Sequence, residues 1–363
     1  MDLNKMKIYG IGVGYNGFHT DVIVPLKEQQ AELESKIHSQ IGFRNLSVAS
    51  EIKRGLYVSG YLISNTEISE FKARKNEAEI YNDIYKYKLN SAYLTQYDVN
   101  IRRHLDSESR IHPTFFRDCT STGRLKAINP AAMAFDKKFM KYLMPKPAHS
   151  LLHLDYKAME FRVIAALSND AGMQKKFMDR SFDMHKENAS IVYNKPVNQI
   201  TDSERKVAKT LGFAILYGMS AQTLAVQLSK NLRKSVSVIA AQKMIDDFYW
   251  NYPGVNLYHK QLQRKDSNCQ TLKGRKFDGN LRFSQKLNYP VQGTAADAFI
   301  YVIDCIEKAF PECQICLPVH DALFVEVPKI GAQQTLSDIK DVMEEEMSRY
   351  LGVVSYVDAE IYS

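Results

Sequence analysis

Residues 151–168, LLHLDYKAMEFRVIAALS, constrain the chain more than any other stretch, because a single carboxylate stands where the apolar period changes. Leu151, Leu152 and Leu154 form a short apolar run around His153, the pattern of a buried strand. From Met159 the spacing turns helical, and Phe161, Ile164, Ala165 and Ser168 recur on one face. Asp155 lies between the two. A carboxylate where a strand turns into a helix faces the open end of a sheet, where ligands and phosphates are commonly held. The same residue could do no more than cap the helix that follows. This stretch alone leaves both readings open.

The 363 residues suffice for a large core with appended subdomains, and 45% hydrophobic residues mark a globular chain. A net charge of +7 is compatible with a polyanionic partner without selecting one. No apolar run is long enough to span a bilayer and the N-terminus lacks a signal-peptide pattern, so the expectation is a cytoplasmic protein with no membrane partner. Five scattered cysteines point to reduced thiols. Cys313 and Cys316 form a C-x-x-C, but Cys119, Cys269 and Cys305 supply no second pair at zinc-ligand spacing. The pair is expected to pack in a strand.

Gly12-Val13-Gly14-Tyr15-Asn16-Gly17 is a literal G-x-G-x-x-G. A dinucleotide fingerprint needs a helix directly after it. Here Val22, Ile23, Val24 and Pro25 follow and read as strand, and Asn16-Gly17 is a turn signal, so a hairpin is predicted over 7–25. Residues 26–60 suggest a helix and one or two strands. The capping box Ser64-Asn65-Thr66-Glu67 predicts a long helix toward about residue 98, with Ile80, Tyr81, Ile84, Tyr85 and Leu89 as its apolar stripe.

Two later stretches bear on Asp155. In RKVAKTLGFAILYG (205–218), Arg205, Lys209, Phe213 and Tyr217 recur every four residues and share one helical face, and Thr201 with Glu204 forms a capping box to start that helix. Two cations followed by two aromatics make a poor core but suit a nucleoside triphosphate: the cations neutralise phosphates and Phe213 stacks near sugar and base. An amphipathic helix with exposed basic residues is the plainer alternative. Gly218 suits a left-handed helix cap. Residues 314–319 and 322–327 read as two strands joined at a tight turn, with Asp321 at the tip beside His320.

In their order and separation, 151–168, 205–218 and 317–328 resemble motifs A, B and C of the family A DNA polymerases. Motif B matches R-x-x-x-K-x-x-x-F-x-x-x-Y-G in full. TSTGRL (120–125) resembles the family's T-x-T-G-R-L, Asp183-Met184-His185 its D-x-H, and Gly274-Arg275 its G-R hairpin. Residues 288–297, NYPVQGTAAD, resemble its N-x-P-x-Q-G-T-A-A-D, and the likeness runs from about residue 80 to the C-terminus. Residues 127–133, AINPAAM, lack the arrangement of an asparagine and a Gln-Asn that usually follows, and Ala322 stands where the family has a glutamate. The first 60 residues faintly resemble the proofreading exonuclease domain, but MDLNKMK leaves no room for its Asp-x-Glu metal pair. A compact form without an evident exonuclease domain, of phage or mobile-element type, is therefore expected.

The resemblance implies an α+β, right-hand polymerase with an antiparallel palm sheet, helical fingers and a reduced helical thumb. It places a small N-terminal module at 1–62, the thumb at 63–110, palm at 111–184 and 266–363, and fingers at 185–265. The implied activity is extension of a primer 3′-hydroxyl with dNTPs on a DNA template. Asp155, Asp321 and the Tyr156 carbonyl would hold two Mg2+ ions, with Mn2+ as an alternative. Arg205, Lys209 and His185 would meet the triphosphate, while Glu160 and Phe213 would bound the sugar. Tyr217 and Gly218 would check the base pair. Arg124, Thr122, Arg275, Asn288, Gln292 and His320 would touch primer–template DNA. A separate exonuclease, helicase or processivity factor is a further expected partner. Two rivals stand beside this reading. A single-subunit RNA polymerase would lack a glutamate at 160 and carry methionine at 213. A catalytically silent template–primer binding protein would have no need of both aspartates and both phosphate cations.

Overall fold

The strand anticipated around Leu151 runs from His149 to Tyr156 and lies inside a four-stranded antiparallel sheet. Its neighbours are Ala322–Pro328 on one side and Val357–Tyr362 on the other, and Gln314–Val319 forms the outer edge. Leu151, Leu152 and Leu154 are fully buried, which contributes about 1.5–3 kcal/mol each. Tyr156 reaches out of the sheet to the helices Phe283–Ala309 and Ala332–Leu351: its ring lies 6.3 Å from Phe299 and its hydroxyl donates to the Met343 carbonyl at 2.8 Å. Asp155 remains in the strand. The helix Met159–Leu167 begins after Ala158, whose φ of 50° is left-handed, so Asp155 does not cap it.

The computed structural model describes residues 1–42, 45–232, 234–264, 268–277 and 279–362. It forms two compact units, one of Met1–Met6, Phe115–Lys126 and Pro147–Ser363, the other of Lys7–Thr114 and Ala127–Lys146. The boundary expected between fingers and palm, at 265–266, falls outside the described residues. No described helix is long and apolar enough to cross a membrane.

In the second unit the predicted hairpin is absent. Ile11–Val13 is a strand, paired antiparallel with Arg110–Ile111 and with Leu143–Met144. The chain then turns helical at Tyr15–Phe18 and continues through His19–Ile23 into the helix Val24–Ile41. Tertiary packing overrides the β-branched run here. Phe18 is fully buried, with the rings of Tyr97, Phe139 and Tyr142 at 5.0–6.0 Å of one another or of it. Pro25 is tolerated because it falls in the first turn of the helix that follows. A helix does follow the glycines, but both strand pairings are antiparallel, so no parallel βαβ unit exists to hold a dinucleotide.

The strands expected within 26–60 are replaced by the helices Val24–Ile41 and Ala49–Val58, whose Leu33, Ile37, Ile41, Ile52 and Leu56 recur every four residues into one core. The long helix also divides. It starts at Ile68 with Glu67 at the cap, stops at Arg74 and restarts at Glu79, because Lys75, Asn76 and Glu77 carry no apolar side chain for the core. Ile80, Tyr81 and Ile84 join the core as anticipated, Tyr85 packs against it, and Leu89 is instead 42% exposed.

In the first unit, Phe283–Ala309 carries Pro290 in its interior. Proline has no N–H to donate to the carbonyl four residues back. The Cys269 thiol, 3.8 Å away, donates to that Lys286 carbonyl. Cys313 and Cys316 are buried and in no disulfide, Cys316 within the edge strand Gln314–Val319.

Candidate active site

Strand register brings the two aspartates together. Asp155 lies directly opposite Ala322 on one neighbouring strand and Asp358 on the other. Asp321 precedes Ala322 in a turn that His320 closes with φ 57°, and the Tyr156 amide donates to the Asp321 carbonyl at 3.2 Å. The turn tip is thereby tied to the end of the Asp155 strand. Burial, and secondly the charge of Asp155, push the Asp321 carboxyl up to about 6. Two carboxylates this close resist ionising together. His320 is held toward its neutral form by burial and by Arg124. Asp358 is paired with Lys157 at 2.9 Å.

The helix Asp202–Leu216 begins at the capping box read from the sequence: the Thr201 hydroxyl accepts from the Glu204 amide, and Glu204 accepts from the Thr201 amide. It ends as Gly218 allows. With φ 75°, the Gly218 amide donates to the Ile215 carbonyl and the Met219 amide to the Ala214 carbonyl, a Schellman closure. Along this helix Arg205 donates to Asp183 at 2.7 Å, and Asp183 also caps the neighbouring helix Met184–Tyr193. Lys209 is exposed. Phe213 packs with Phe161 at 5.1 Å and His185 at 5.9 Å. Burial, with Lys209 and Arg205 adding, drives His185 down to about 4, so its ring is neutral at physiological pH. Its Nδ1 is buried without a hydrogen-bond partner.

Glu160 joins three of the motifs. One carboxylate oxygen accepts from Tyr217 Oη at 2.5 Å and the other from Arg124 Nη2 at 2.6 Å. Two residues along the same helix, Arg162 would be the nearest cation to Glu160 on an exposed face. Arg162 is instead buried, donates to the Lys157 and Val354 carbonyls, and stacks 4.4 Å from the Phe177 ring centre. The Arg124–Glu160 contact was not legible, because the partners are 36 residues apart and meet only through the fold.

Asn288 and Gln292, one turn apart on Phe283–Ala309, are half-buried, and Gln292 acts on the Tyr217 phenol, favouring its charged form slightly. Thr122 is buried and Arg124 half-buried. Arg275 directs its side chain into the protein: Nε and Nη2 donate to Asp297, and Nη2 also to the Thr122 and Gly293 carbonyls. Asp297, the last residue of the 288–297 segment, is the carboxylate that holds this guanidinium. Asp183 likewise emerges as the partner of Arg205.

A solved POL domain of Pol1 from M. smegmatis, in complex with DNA primer-template and dNTP, has the same fold, with a TM-score of 0.81 at 23% identity over 99% of this chain and 68% of that one. DNA polymerase I of Aquifex aeolicus is 28% identical over 68% of this chain, and that of Deinococcus radiodurans 25% identical over 94%. The chain spans well under half the length of these relatives, 43% and 38% respectively. The sequence model for DNA polymerase family A matches residues 20–362, nearly the whole chain. With three motifs gathered around one sheet end and that match along its length, the chain belongs to DNA polymerase family A.

Proposed function

We propose that the chain is a DNA-directed DNA polymerase that extends a primer 3′-hydroxyl with dNTPs on a DNA template and releases pyrophosphate. The observation that carries this reading is the gathering of Asp155, Asp321, Glu160, Tyr217 and Arg124 at one end of the antiparallel sheet, beside the helix bearing Arg205, Lys209 and Phe213. Residues 63–110 are assigned to a short thumb, 111–184 and 266–363 to the palm, and 185–265 to the fingers. Residues 1–62 are left as a small N-terminal module.

The donor set fits hard divalent cations. Asp155, near the end of its strand, and Asp321, in the turn tied to that end, are both oxygen donors, and the Asp321 carboxyl is raised first by burial and second by the charge of Asp155. Asp155, Asp321 and the Tyr156 carbonyl would hold magnesium, which when bound stabilises charge on the attacking and leaving oxygens. The chain's own residues do the rest. Arg205 and Lys209 offset charge on the triphosphate and the departing pyrophosphate. His185, held neutral by burial, offers the phosphates a hydrogen bond from its ring rather than a charge. Glu160 and Phe213 bound the sugar from two sides. Gln292, Asn288 and Arg124 face the primer–template near its end, and Gly218 leaves room beside Tyr217 for the template base.

Asp155→Ala and Asp321→Ala should each abolish primer extension in magnesium while leaving primer–template affinity largely unchanged. Extension by either variant within tenfold of wild type would remove the metal assignment. Glu160 and Phe213 favour this reading over an RNA polymerase. The pairing of both aspartates with both cations favours it over a silent binding protein, which extends no primer.

A further inference from the structure

We propose that Arg275, anchored on Asp297, is a positioning residue for nucleotide selection: it fixes the Thr122–Gly123 turn from which Arg124 holds Glu160. The proposal rests on the polymerase reading above and deepens it.

Arg275 lies in a short hairpin closed by the Gln270–Lys276 bridge, and its own carbonyl accepts from the Thr271 amide. From there its side chain turns inward. Nε lies 3.2 Å from each oxygen of Asp297, and Nη2 is 2.8 Å from one of them. The same Nη2 donates to the Gly293 carbonyl at 3.2 Å and the Thr122 carbonyl at 3.0 Å. One guanidinium thus joins the hairpin, the helix Phe283–Ala309 and the 120–124 turn.

The turn is shaped to receive it. Gly123 has φ 74°, and a Cβ there would stand 2.8 Å from Arg275 Nη2, so the guanidinium rests on bare backbone. The Gly123 amide donates to the Thr120 carbonyl, and the Thr120 hydroxyl to the Arg124 carbonyl. Gly293 is equally constrained, with a Cβ meeting Phe277 at 2.6 Å and Arg275 at 3.0 Å. The next residue along the turn is Arg124, whose Nη2 binds Glu160 at 2.6 Å, and Glu160 in turn binds Tyr217.

The linkage is directional because an Arg fork on a carboxylate fixes an angle as well as a distance. A lysine keeps the charge and three donors, but a single ammonium cannot reproduce the planar fork that spans Asp297 and both carbonyls. Arg124 would then lose its fixed origin, and Glu160 would be free to swing away from the sugar it bounds.

The sequence alone suggests a different task for Arg275, direct contact with DNA. Asp297→Asn separates the two. Removing that carboxylate frees the guanidinium and one negative charge, so a DNA contact would persist or strengthen, whereas an anchored positioning residue loses its hold.

The test is steady-state primer extension by wild type, Arg275→Lys and Asp297→Asn, with dNTP and with rNTP, alongside primer–template affinity. Both variants should lower the dNTP-over-rNTP ratio of kcat/KM by about tenfold, through KM for the dNTP more than kcat. Adding either to Glu160→Ala should change selectivity little further, because all act through one carboxylate. Unchanged selectivity in Asp297→Asn with DNA affinity lost only in Arg275→Lys would overturn the proposal in favour of a DNA contact. Should Asp297→Asn fail to fold, Arg275→Lys decides; failure of both to fold overturns the proposal, since the pair would then serve only the core. A wild-type chain that extends no primer removes the polymerase reading together with this one. A wild type that extends while both variants keep its selectivity removes this one alone.

Discussion

Glu160 carries two hydrogen bonds before any nucleotide arrives, from Arg124 and from Tyr217. Its carboxylate is therefore already aimed, and no search of rotamers is needed when a sugar enters. Burial and the adjacent Glu160 also push the Tyr217 phenol far above its ordinary range, so it stays a donor at every working pH. Glu160→Ala should weaken rejection of ribonucleotides by about tenfold or more, since a rigid polar site discriminates a hydroxyl better than an apolar one does. Deoxynucleotide affinity should change less. Glu160→Gln should be intermediate, because an amide can still accept from Tyr217 but loses the ion pair with Arg124. Equal ribonucleotide incorporation by wild type and Glu160→Ala, in single-nucleotide extension, would place the sugar check elsewhere.

At the scale of elements, Asp202–Leu216 packs on Met184–Tyr193 through Gly212, where a Cβ would meet Asn188 Nδ2 at 2.4 Å and Phe161 Cζ at 3.3 Å. In an open helix, Gly→Ala stabilises by roughly 1 kcal/mol. Here Asn188 is 4% exposed and the Phe161 ring closes the other side, so Gly212→Ala should destabilise by about 1–3 kcal/mol in urea unfolding, as overpacking does. Asn188→Ala should recover most of that loss in the double variant. The same helix shows what could be read in advance. Its start, its end and its functional face are local: a capping box, a glycine and a four-residue recurrence. The strand at Leu151 and the turn at Asp321 were legible for the same reason, since apolar runs and a polar tip declare themselves within a few residues. The hairpin expected over 7–25 is not formed because the outcome depends on Phe18 meeting Tyr97, Phe139 and Tyr142, rings far away in sequence. The inward turn of Arg275 was hidden likewise, for a G-R pair carries no sign of Asp297 22 residues on.

At the scale of the molecule, the two units hold separate cores, the second around Leu33, Ile37, Ile52, Phe71 and Ile84, the first around the four-stranded sheet. A chain built this way need not unfold in one step. Its cysteines offer a means to follow one unit without the other, because Cys119, Cys269, Cys305, Cys313 and Cys316 all belong to the first. Burial raises the Cys269 thiol to about 11 and the Cys313 thiol to about 12, which leaves almost no thiolate near neutral pH. Exposed Cys119 should react first with a thiol reagent at pH 7.5, and Cys269 and Cys313 orders of magnitude later, by mass-resolved labelling. Cys269 modified as fast as Cys119 would contradict its place beneath the proline helix. That place gives the labelling a further meaning. The Cys269 proton completes the backbone that Pro290 cannot, so a bulky adduct on the sulfur would block the helix from re-forming against it. Each labelling event would then work as a ratchet, recording an opening of the first unit and preventing its return.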